Sequence, residues 1–462
     1  MKKIFLFQII ILVLLPSILC EKKKKKKSLN QTQKIEKEQQ IPSILKWAKN
    51  NNIYINENLI LNKNTDLSHN FFYFTSNSSI PKDTLLLKVP YDMMISQYTL
   101  NKYFQETKNK KWYNLWNEIV DNNNEYISHF LTKQLFYISI IIENAINKKK
   151  GVIYKKFGPY FDMYEYINMD NFPAFYDDDE IYFLSVSGFG NELTKAVESL
   201  KEESYIINND LKISTSMTDS FLKYRVLTMA NSISYNNTDL KKENNEDYNE
   251  TILVPFIDCF KKVISDKAAT AEYSIKKDKN NSYYLEVRSI KKINKRDEIN
   301  LQWLKLSNQD CLLFYGFIEY GNEYAPAFYV NVFNNLLKKD LGIDKNKDFS
   351  DVAKRDLYEL NSEFIESDVV QSYKNISNLI DKYKNKKEGR YEMMVDNLNY
   401  YLRIYDEQFT DGNINLYIRG IDKQRAIKEL MKLEKKILQN KINYIKLLIQ
   451  DIKEKKYNMD DL

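Results

Sequence analysis

Residue types that do chemistry are scarce in this chain, and the scarcity narrows its functions. Its 462 residues include two histidines, His69 and His129. A multi-histidine metal centre is excluded, and a Ser-His or Cys-His nucleophile would have to use one of those two. The three cysteines, Cys20, Cys259 and Cys311, cannot build a four-cysteine zinc site or a disulfide-dense scaffold. No metal site is expected. Cys259 and Cys311 allow two readings, a disulfide or two buried free thiols, and the second is preferred. Ten glycines occur, with no GxGxxG, GxxxxGKS or GxxxxGKT loop to cradle a nucleotide phosphate.

The net charge of +6 comes from one end of the chain. Without Lys2, Lys3 and the run Glu21 to Lys27 the remainder is close to neutral. No nucleic-acid footprint is expected. Residues 1–20 read as a secretory signal peptide: Lys2 and Lys3, an apolar run from Ile4 to Leu15, Pro16, then small Cys20 before a cut at Glu21. The run is too short for a membrane span of about 20 residues. No later stretch is apolar enough either, so no stable membrane span is expected after cleavage. The expected destination is the secretory pathway or the exterior. Asn-x-Ser/Thr sites at Asn30, Asn77, Asn236, Asn249, Asn280 and Asn375 then become candidate glycan acceptors.

The elements that would position chemistry come next. Residues 21–40 read as a charged linker; Lys22 to Lys27 suit a solvated tail, with anionic lipid or a partner as the alternative. Ile44, Leu45, Trp47 and Ala48 predict a short amphipathic helix. Asn58 to Leu61, Asn70 to Thr75, Thr84 to Val89 and Tyr283 to Val287 predict strands. Residues from about 98 to 215 predict mainly helix, including Phe130 to Ile146. Further helices are expected at Phe221 to Met229 and Asn308 to Phe314, and the chain is expected to be all helix from about 345. In Asp422 to Tyr457, Ile427, Leu430, Ile437, Leu438, Ile442, Ile445, Leu448 and Ile452 share one face. That stripe suits core packing or a partner surface, with a basic membrane-surface helix as the alternative.

Several landmarks occur in an order that resembles SET-domain proteins of the Rubisco large-subunit methyltransferase type, a group that includes actin-histidine methyltransferases. They are Ile41-Pro42-Ser43-Ile44-Leu45-Lys46-Trp47, Ile80 to Pro90, Met93-Met94-Ile95-Ser96, Phe157-Gly158-Pro159-Tyr160-Phe161, and Phe172-Pro173 to Leu184. Leu253-Val254-Pro255-Phe256-Ile257-Asp258-Cys259, Asp297 to Leu301, Ser307-Asn308 and Leu312 to Ile318 with Asn322 continue it. The resemblance implies an α+β protein: a β-rich SET fold over 41–330, split by a helical insert of about 98–215. An all-helical C-terminal substrate-binding-like domain over 345–457 follows. It also implies a catalytic Tyr315 and cofactor contacts at Asp258, Asn308, Gly316 and Phe317, with S-adenosylmethionine as the family's cofactor.

The sequence departs from that family where the chemistry is most demanding. The family's Gly turn before the first strand, where backbone approaches cofactor, is here Tyr73-Phe74-Thr75. Its Asn-His pair after the Asp is here Lys261-Lys262, donors only and positive beside a sulfonium. Its preceding Arg falls near Ser232, and its pocket Tyr falls on Trp303. The expectation is therefore a secreted, non-catalytic SET-fold protein that binds a protein or peptide and takes no cofactor. The alternative is an active S-adenosylmethionine-dependent protein-lysine N-methyltransferase. A third reading, a nucleic-acid or membrane binder led by Lys22 to Lys27, is weaker.

Overall fold

The computed structural model describes residues 41–63, 72–96, 152–211, 218–236, 249–319, 328–331, 357–360 and 373–454, with short breaks inside these ranges and a few single residues between them. The leader, the lysine run and the expected helix at Phe130 to Ile146 lie outside the described residues.

A helix through 41–50 (α1) opens the described chain. It is followed by strands β1 (Tyr54–Ile55), β2 (Leu59–Lys63), β3 (Phe72–Ser76) and β4 (Leu85–Pro90). Among the described residues, helices α2 (Val152–Tyr164), α3 (Asp178–Leu184), α4 (Gly188–Leu211) and α5 (Thr218–Asn231) follow. The chain then returns to strands β5 (Ser232–Asn236), β6 (Asn249–Leu253), β7 (Lys261–Val263), β8 (Ala271–Lys277), β9 (Tyr283–Ser289) and β10 (Asn300–Gln302). Helix α6 (Asn308–Tyr315) and strands β11 (Phe328–Asn331) and β12 (Leu357–Leu360) precede helices α7 (Gly389–Gln408), α8 (Asp411–Tyr417) and α9 (Ile421–Lys453).

The largest sheet has the order β1-β4-β9-β8-β10-β7. Within it β4 pairs antiparallel with β9, Val89 opposite Leu285. Segments on either side of the helical insert thus share one sheet, because neither could cover its own strands. A register shift between Leu85 and Leu87 interrupts the ladder. Such a bulge breaks the in-out alternation, and Leu86 and Leu87 are both fully buried. Ile95 exchanges backbone bonds with Leu253, both at 2.9 Å. That ties the segment after β4 to the stretch entering the Val254-Pro255-Phe256 turn.

Two hydrophobic clusters form. One gathers α1, the sheets and α2 around Trp47, Phe74, Tyr160, Phe256 and Phe260. The other gathers α3, α4, α7 and α9 around Phe183, Leu193, Leu398, Leu438 and Ile445. Helix α6 joins them: Cys311 packs into the first and Leu312 into the second. Burying each large aliphatic or aromatic side chain contributes about 1.5–3 kcal/mol. Of the predicted stripe on α9, all but Leu448 are buried and Leu448 is partly buried. The stripe is therefore core packing.

Strand β12 corrects one expectation. The region after about 345 is expected from its sequence to be all helix, yet Leu357–Leu360 pairs antiparallel with β11. The pairing is a tertiary event that local helix propensity does not reveal. Cys259 and Cys311 are free and buried. Among the described residues no helix is long and apolar enough to cross a membrane, and no cluster of His, Cys, Asp and Glu could hold a metal ion.

Candidate functional site

A cleft of about 900 Å³ opens between β3, α2, the end of α5, β7 and the segment following α6. The turn Val254-Pro255-Phe256 precedes the cleft residues Asp258 and Cys259. Phe256 has φ of +68°, in the left-handed region, which costs a bulky residue on the order of 1–3 kcal/mol. Its fully buried ring holds it there, 6.1 Å from Trp47 and 6.4 Å from Phe74 between centroids. The left-handed step starts a single 3-10 turn, Ile257–Cys259, that delivers Asp258 to the cleft.

Asp258 sits at one end of a buried polar chain. The Tyr160 hydroxyl donates to Asp258 Oδ2 at 3.3 Å. Tyr160 and Tyr164, one turn apart on α2, share a hydrogen bond of 2.7 Å. Asn231 Nδ2, on the last residue of α5, donates to the Tyr164 hydroxyl at 3.5 Å. Asn231 Oδ1 in turn accepts from Lys262 Nζ. Thus a carboxyl and an amine are joined through two phenols and an amide, drawn from four separate elements.

Lys262 is half-buried along the cleft wall. The ammonium lies 4.9 Å from the centre of the Trp303 ring and 5.8 Å from that of Tyr315. Those rings meet edge-on, 6.4 Å apart at 84°. A cation over two ring faces is attracted by their quadrupoles. Burial still dominates its titration: it pulls the Lys262 amine down to about 8, against the pull of Asp258. Burial likewise pushes the Asp258 carboxyl up to about 6, opposed by Lys262 and the phenols. Burial raises both phenols well above the ordinary tyrosine range. The Cys259 thiol is also pushed well up by burial, and the Cys311 thiol to about 12. Neither is a thiolate nucleophile at neutral pH.

The two lysines of the Lys261-Lys262 pair face different surroundings, as strand alternation dictates. Lys261 is exposed and pairs with Glu298 at 3.2 Å on the cleft rim. Glu319 accepts from the backbone N–H groups of Ile264 and of Ser265, the latter at 3.0 Å. That pins the segment beyond α6 against the strand edge.

Of the residues expected at the site, Tyr315, Asp258 and Phe317 line the cleft. Asn308 and Gly316 serve its framework. Asn308 bonds Glu319 in both directions, at 3.1 and 3.0 Å. Gly316 caps α6 in the left-handed region, φ +71°, where a Cβ would meet the Asn171 carbonyl oxygen at 3.2 Å. Tyr73 and Thr75 also line the cleft while Phe74 is core. The Ser232 hydroxyl donates back to Thr228 O. Its neighbour Asn231 is the residue that faces the cleft. Sequence reasoning missed Asn231, Tyr164 and Glu319. The only hint at the second was the Tyr160-to-Tyr164 spacing of four, one helical turn.

No family model matches the sequence, and neither does any curated protein. Solved structures do match in fold. The SET domain of LSMT bound to lysine and AdoHcy has a TM-score of 0.56 at 13% identity, over 90% of this chain and 92% of that one. The same domain bound to MeLysine and AdoHcy gives 0.54 at 13%, over 91% and 95%. Rubisco LSMT bound to AdoMet gives 0.53 at 11%, over 90% and 93%. The chain has the SET-domain fold of the Rubisco LSMT type.

Proposed function

We propose that this protein is a SET-fold pseudoenzyme that holds a protein or peptide in its cleft and transfers no methyl group. The observation that carries the reading is the Lys262 ammonium seated against Trp303 and Tyr315. A positive group of the chain's own already fills the aromatic wall on which a sulfonium or a substrate ammonium would depend. Two like charges at contact distance repel by roughly 4 kcal/mol at an effective dielectric of about 20. Tyr73 and Thr75 narrow the other wall. Secretion follows from the leader and belongs to the same proposal, since a secreted chain has little access to an intracellular methyl donor.

The alternative, a protein-lysine N-methyltransferase using S-adenosylmethionine, draws support from Tyr315 in the cleft and from the lysine and AdoHcy bound to a protein of like fold. A transfer assay separates the two. The full chain is incubated with methyl-labelled S-adenosylmethionine and a lysine-rich protein mixture. The proposal expects no label in any protein; label that disappears with Tyr315→Phe would establish the enzyme.

A further inference from the structure

Lys262 is a primary amine at the wall of the cleft; its charged form occupies the aromatic wall in the reading above, and its neutral form has no part in that reading. We propose that the Lys262 amine is a covalent capture site for an aldehyde, which it binds reversibly as an imine with Asp258 as the acid. The ligand class follows from the wall. Trp303 and Tyr315 flank the ammonium, and Phe72, Tyr73, Phe172 and Phe317 line the same cleft, which suits an aromatic aldehyde stacked on rings. The inference stands whether or not the cleft also holds a peptide.

The geometry supplies what imine formation needs. The Asn231–Tyr164–Tyr160 chain fixes amine and carboxyl at its two ends, and both ends line the same cavity. The neutral Nζ adds to the carbonyl carbon, forming the C–N bond while the π pair moves to oxygen. Nitrogen loses a proton as that oxygen gains one, giving a carbinolamine. Asp258 then protonates the hydroxyl, which leaves as water as the C=N bond forms. The iminium proton returns to the carboxylate. The net change is amine plus aldehyde to imine plus water.

Desolvation makes the amine available, because it favours the neutral form. The charged and titratable groups around it are Asp258 and Cys259 on the turn, Tyr164 on α2 and Tyr315 on α6. Arg296, Asp297, Glu298 and Glu319 also line the cleft, Glu298 paired with Lys261.

The test uses the full chain with 4-hydroxybenzaldehyde and sodium cyanoborohydride, followed by peptide mapping. Lys262 should be converted to the secondary amine roughly tenfold or more faster than exposed Lys46 or rim Lys261, as its lowered pKa implies. Labelling of Lys262 no faster than these lysines overturns the proposal, and that comparison needs no variant. The rate should be bell-shaped in pH with a maximum at about 7, between the carboxyl at about 6 and the amine at about 8. In Asp258→Asn the rate should fall and rise steadily through pH 8; a bell that persists overturns the role of Asp258.

Discussion

Lys423 Nζ lies 2.8 Å from each carboxylate oxygen of Glu180, across 243 residues of sequence. The pair joins α9 to α3, and both side chains are about 95% or more buried. Glu180 is also the third residue of α3, where it completes a capping box with Asp177 and accepts from Arg419 N at 2.9 Å. One carboxylate therefore satisfies a helix start, a loop N–H and a buried ammonium.

Breaking this pair on one side leaves a charge buried and unpaired. Lys423→Met should destabilise the fold by about 3–5 kcal/mol. The double variant Glu180→Gln with Lys423→Met should recover part of that loss. Denaturant titration followed by circular dichroism measures both. An unchanged midpoint in the single variant would show that the pair is not buried as described.

Glu434 predicts the direction of pH dependence. It lies on the buried face of α9, where Gln309 of α6 and the Tyr405 hydroxyl of α7 donate to it. Burial pushes its carboxyl up to about 7, against those hydrogen bonds. The native state therefore holds a proton that the unfolded chain releases above about 4.3. Stability from this group is present at low pH and is lost as pH rises towards 7, by on the order of 1.4 kcal/mol for each pH unit climbed. Asp258 contributes in the same direction up to about 6. Glu434→Gln should flatten the decline between about pH 4.5 and 7 in thermal melts; a wild-type curve that climbs through this window in parallel with the variant would contradict it.

The thiols give a simpler prediction. Cys259 and Cys311 are buried, with their thiols held protonated by desolvation. Iodoacetamide at neutral pH should modify neither in the folded chain and both after denaturation. Peptide mapping reads the two positions, and rapid native labelling of Cys259 would mean that its thiol is not buried in the cleft wall as described.

Much of the framework is legible in the sequence because it rests on local patterns. The α9 stripe shows as helical periodicity, and the Tyr315-Gly316 step shows as a helix end with the glycine that a left-handed cap needs. The strands β4 and β9 show as alternation, though the bulge between Leu85 and Leu87 does not. Charged residues inside the second cluster, Glu180, Lys423 and Glu434, read as solvated faces until their partners from distant elements are in place. The cleft was legible only in part. Asp258, Tyr315 and Phe317 stand in recognisable motifs, whereas Asn231 and Tyr164 gain meaning only when α5 and α2 converge on Lys262. The Lys261-Lys262 pair was visible, but which lysine turns inward depends on the pairing of β7 with β10.

Reversing the lysines should not rebuild a cofactor site. In Lys261→Asn with Lys262→His the Tyr73 and Thr75 side chains still line the cleft. S-adenosylmethionine binding should stay undetectable by equilibrium dialysis, and micromolar binding by the double variant would show that the strand β3 wall is no barrier.

The most direct measurement is calorimetric titration of the unmodified full chain with S-adenosylmethionine. Losing paired hydrogen bonds to a buried charged ligand costs about 1–3 kcal/mol each, and two or three such losses weaken binding by roughly one to six decades. With the Lys262 ammonium against Trp303 and Tyr315, the account predicts no saturable heat up to about millimolar cofactor. A saturable isotherm with a Kd of about 1 μM, some 8 kcal/mol of binding, would contradict it.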